Sequence, residues 1–87
     1  MIELEVYARG LRVESTLMAL HSQMDHVPQV RYKVDTHHDL VYLEIDEPER
    51  VSLKQLNNAF TTIGLLPRIV GQVPEGFAEE HDTTRVQ

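Results

Sequence analysis

Apolar and polar positions in this chain alternate with two periods, and the switches between them mark its elements. From Ile2 the residues alternate: Ile2, Leu4 and Val6 face one way, and Glu3, Glu5 and Tyr7 the other. That is the pattern of a strand buried on one side. Arg9-Gly10 breaks it. Val13, Leu17, Leu20, Met24 and Val27 then recur at steps of four and three, which predicts an amphipathic helix ended by Pro28. Val30, Tyr32 and Val34 alternate with Arg31 and Lys33 as a second strand, and Asp35-Thr36-His37-His38-Asp39 reads as a hairpin turn. Val41, Leu43 and Ile45 alternate with Leu40, Tyr42 and Glu44 as a third strand, and a polar connection over 46–50 follows.

The most fully punctuated stretch is 51–70. Ser52 and Gln55 have capping-box spacing, and Leu53, Leu56, Phe60 and Ile63 form one apolar stripe. Gly64 stands where a left-handed C-cap is expected, and Pro67 follows. A fourth strand is expected over about 68–73. The order β-α-β-β-α-β is the split β-α-β of ferredoxin-like α+β domains. It predicts a four-stranded antiparallel sheet in the order 4-1-3-2, with both helices on one face. Residues 1–73 form the expected domain. Residues 74–87 read as an acidic polar tail, mobile unless Phe77 docks.

Composition narrows the chemistry. The 87 residues hold no cysteine, which excludes disulfides, thiolate metal sites and cysteine nucleophiles. A net charge of −6 argues against nucleic acid or an anionic membrane as partner. The chain starts directly in strand-like alternation, with neither a signal-peptide pattern nor a long apolar run, so a cytoplasmic location is expected.

The run Leu56-Asn-Asn-Ala59-Phe60-Thr-Thr-Ile63-Gly64-Leu65, with Asp46, Val51-Ser52 and Gly10-Leu11, resembles the heavy-metal-associated domains of copper chaperones and metal-pumping ATPases. The similarity covers roughly residues 2–73 and is strongest over 41–70. It implies the same ferredoxin-like fold. Metal-binding members use two cysteines three apart at the start of the first helix, and here those positions fall on Val13 and Thr16. Leu65 stands in place of their aromatic. The resemblance thus implies a relative of metal-handling domains that cannot transfer copper(I) between thiolates.

Three other features bear candidate chemistry. Asp35, His37, His38 and Asp39 could offer imidazole and carboxylate to a divalent transition metal, the one cofactor class in view. Competing with this is an ordinary solvated turn. Arg9, Gly10 and Arg12 flank the start of the first helix and could hold an anion, or pair with nearby acids. Tyr7 and Tyr42 on the open sheet face, with Ile69 and Val70 on the fourth strand, could anchor a protein partner or a second copy. His21 and Asp25, one helical turn apart, read as a solvated helix face. No catalytic constellation can be assembled, and an enzyme is not expected. The expected function is a small binding module acting by protein contact in or near metal-ion handling. The alternatives are weak divalent-metal binding at the His37-His38 turn and a dimeric small-molecule regulatory domain.

Overall fold

A computed structural model describes residues 1–77. Strand β1 spans Ile2–Tyr7, helix α1 Glu14–Met24, β2 Val30–Asp35, β3 Leu40–Ile45, helix α2 Leu53–Thr61 and β4 Arg68–Ile69. A single 3-10 turn, Pro48–Arg50, occupies the polar connection before α2. The sheet is antiparallel in the order β2-β3-β1-β4, as the order of elements predicts. The chain has the ferredoxin-like βαββαβ architecture.

The register explains the two faces. Leu4 lies opposite Leu43 and Val6 opposite Val41, and all four are buried with Ile45, Leu20, Met24, Leu56, Ala59 and Phe60. The odd-numbered β1 residues Glu3, Glu5 and Tyr7 face the other way and are exposed. Helix α2 follows its signals closely. The Ser52 side chain accepts the Gln55 N–H at 3.0 Å, satisfying one donor of the first turn. At the other end Gly64 has φ 85°; its N–H donates to the Thr61 carbonyl and the Leu65 N–H to that of Phe60, both at 3.0 Å. This paired closure needs a left-handed residue, and it folds Leu65 back beside Phe60.

Helix α1 departs from its expected stripe. Val13 is not on the buried face; it is the extended residue before the helix and is 54% exposed. Leu11, in the preceding loop, fills the core in its stead. His21, off the stripe, meets the Tyr32 hydroxyl, with the rings 5.6 Å apart, and so ties α1 to β2. Burial, and to a lesser degree the charge of Asp25, push the Tyr32 phenol upward from its ordinary value.

The fourth strand is shorter than the expected 68–73. Arg68 and Ile69 pair with Tyr7 and Val6, and the Val70 N–H reaches the Glu5 carbonyl at 2.9 Å. Gly71 then turns away at φ 86°, a conformation a strand cannot contain. Phe77, the residue on which docking of the expected tail depends, packs against the core. Residues 78–87, the rest of that tail, lie outside the described residues.

Candidate functional site

Two regions gather the residues the sequence singles out. The first is the end of the domain where the β1–α1 loop, the β2–β3 turn and the α2–β4 loop meet. Gly10, at φ 108°, a backbone conformation that favours glycine, lies beside Leu65, where a Cβ would make an ordinary 3.7 Å contact with the leucine Cδ2. The Leu11 N–H donates to Asp39 Oδ1 at 3.2 Å, and the Ala8 N–H to the Asp39 carbonyl at 2.9 Å. Asp39 is the one described non-glycine residue with positive φ, at 55°. Aspartate and asparagine enter that conformation more readily than other non-glycine residues. Arg12 completes the clasp, its Nη2 donating to the His37 carbonyl at 2.8 Å and its Nε to that of Thr36 at 3.3 Å.

These bonds decide what this end can do. Asp35 Oδ1 accepts the N–H groups of His37 and His38 at 3.1 and 3.3 Å, and its Oδ2 holds His38 Nδ1 at 2.9 Å. Hydrogen bonding from the His38 imidazole, with help from its charge and the two main-chain donors, holds the Asp35 carboxyl below its ordinary value. Asp39 is turned to Leu11. The four expected ligands therefore do not converge, and among the described residues no three His, Asp or Glu side chains are gathered as a metal ion requires. The donor set does not fit a divalent metal. Of the residues expected to hold an anion, Arg9 is exposed, and Arg12 directs two of its five N–H donors at carbonyls of the β2–β3 turn. Val13 and Thr16, where the sequence resemblance would set two thiolates, offer one exposed isopropyl group and one half-buried hydroxyl.

The second region is the open sheet face. Tyr42 lies opposite Glu5 on one side and Lys33 on the other, and Tyr7 lies opposite Leu40. Tyr7 and Tyr42 are 39% and 37% exposed. Arg31 crosses the far end, with Nε 3.2 Å from Glu44 and Nη1 2.7 Å from Asp46, and its hydrogen bonds draw the Asp46 carboxyl below its ordinary value. Val70 is exposed at the sheet's edge, whereas Ile69 faces inward opposite Val6 and is half-buried.

No family model matches the sequence, and no curated protein matches it either. The backbone does find counterparts. The amino-terminal domain of PacS from Synechocystis PCC6803 superposes with a TM-score of 0.64 at 15% identity, covering 82% of this chain and 100% of that one. A copper binding domain from HMA7, a P-type ATPase, superposes with a TM-score of 0.69 at 15% identity, covering 82% and 96%. The fold is that of a heavy-metal-associated domain. On this fold the chain carries no cysteine, and its loop end is closed by the Asp39 and Arg12 bonds. Among the described residues no helix is long and apolar enough to cross a membrane.

Proposed function

We propose that this chain is a non-catalytic protein-contact module in or near metal-ion handling, built on a heavy-metal-associated fold from which the metal chemistry has been removed. One observation carries the reading. The end of the fold that would hold a soft metal has no thiolate, and Asp39, Arg12 and Asp35 are engaged within the loops, with Leu11, the 36–37 carbonyls and His38. Without a thiolate this end cannot pass a soft metal on by exchange of sulfur ligands. What remains available is surface: Tyr42 flanked by Glu5 and Lys33, with Tyr7 and Leu40 beside it. Exposed tyrosines are frequent anchors of protein interfaces.

The test is an amide spectrum of the isotopically labelled chain, recorded alone, with equimolar copper(I) or zinc(II), and in extract of its native host. The metals should leave signals of 10–16 and 35–39 in place, and the extract should broaden those around Tyr42. Stoichiometric metal uptake with shifts in either loop would overturn the reading.

A further inference from the structure

The broken fourth strand leaves a groove. Continuing its register would set Gly71 across from Leu4 on the core side, but glycine has no side chain there and the chain turns away. A Cβ at Gly71 would meet nothing within 4 Å. The resulting hollow, about 200 Å³, lies between β1 and α2 and is walled by Leu4, Val6, Leu56, Phe60, Pro67 and Ile69. It is smaller than the roughly 300–1,000 Å³ of small-molecule sites. Its size and walls suit one aliphatic side chain.

The main chain beside it is also open. Glu5 points its carbonyl toward β4, where Val70 takes it, and strand alternation points the main-chain groups of Glu3 the same way. Among the described residues, nothing hydrogen-bonds the Glu3 main chain. By Gly76 the chain is back near Ile2 and Pro48. An unpaired rung therefore sits directly beside an apolar hollow, the two requirements for adding a strand.

Charge selects the occupant. The Glu3 and Glu5 side chains stand on the opposite face of the same strand, and neither forms an ion pair among the described residues. A second copy, with net charge −6, would set acid against acid along this edge. The chain's own last residues, with Glu79, Glu80 and Asp82 against one arginine, would do the same. Resting on the protein-contact reading above, we infer that the outer edge of β1 at Glu3 accepts an extended segment of a basic partner protein. Its apolar side chains alternate with lysine or arginine: one apolar group enters the Leu4–Phe60 hollow, and the next residue sets its cation over Glu3, within reach of Glu5 on the same face.

The full chain is titrated with a short synthetic peptide of alternating lysine and leucine, with glutamate–leucine and lysine–serine peptides as controls. The lysine–leucine peptide should shift the amides of 3–5, 56–60 and 69–70 and slow exchange at Glu3. Both controls should bind at least about tenfold more weakly, as should the lysine–leucine peptide to E3K/E5K and to N57W, which crowds the hollow from its exposed rim. Equal binding of the glutamate peptide, or unchanged affinity in both variants, overturns the inference. So does slow Glu3 exchange in the free chain: independent of concentration it means the chain's own tail lies there, and rising with concentration it means a second copy. Shifts centred on Tyr42 with the edge unmoved overturn the edge site while leaving the contact-module reading intact. That reading fails separately, by metal uptake.

Discussion

Asp39 does more than any other single residue to fix the loop end, and its two tasks can be separated. It holds a left-handed backbone, and it accepts the Leu11 N–H across 28 residues of sequence. Asparagine keeps both abilities, whereas alanine keeps neither. Asp39→Asn should cost less than about 0.5 kcal/mol, and Asp39→Ala about 2 kcal/mol from the lost bond and the strained φ together. Chemical denaturation of the two variants checks this, and equal losses would mean the clasp is incidental. Asp35 has a pH signature. Because His38 and two N–H groups depress its carboxyl, its contribution is complete above the ordinary value of about 3.9 and is lost as pH falls through the lower folded value. The amides of His37 and His38 should therefore begin exchanging faster only below about pH 4, and Asp35→Asn should flatten that response. In the core, Phe60→Ala should cost roughly 3–5 kcal/mol and Asn57→Ala under about 0.5 kcal/mol, since the first is fully buried and the second exposed.

At the scale of elements, the fourth strand separates what the sequence could say from what it could not. Exchange should be slow at Val70, whose N–H is bonded, and fast at 71–73; protection through Val73 would restore the longer strand. The residues 68–73 alternate acceptably, and only the backbone angle of Gly71 reveals the stop, since glycine is tolerated at a strand's end as readily as in a turn. Helix α2 was legible at both ends because its cap, its apolar stripe and its C-terminal glycine are local signals, each carried by residues next to the end or face it marks. Helix α1 was legible in its body and misread at its start: Val13 fits the helical period, yet the preceding loop delivers Leu11 to the core. The strand order followed from element order alone. The clasp did not, because Arg12 and Asp39 find partners 24 to 28 residues away, and periodicity carries no record of such contacts. The hollow beside Leu4 was hidden for the same reason, although a glycine at a core-facing strand position is a signal that could have exposed it.

For the whole molecule, fold and chemistry come apart. The backbone superposes on copper-site domains while every thiolate is missing, so titration against a competing copper(I) chelator should transfer no metal to the chain. Femtomolar-range retention would contradict this. The strand order has a further, kinetic consequence. The β2–β3 hairpin closes a turn of a few residues, whereas β1 must wait for β3, pairing Leu4 with Leu43, and for β4, pairing Val6 with Ile69. Chain closure over such separations is slow, so the hairpin belongs to the folding nucleus and the β4 edge is added late. Asp39→Ala should therefore act mainly on the folding limb of a chevron plot and Ile69→Ala mainly on the unfolding limb. The last strand to arrive in folding is then also the first to leave. In the native state, brief loss of β4 would bare more of β1 than the resting structure does, and any partner that pairs there would slow unfolding in proportion to its occupancy.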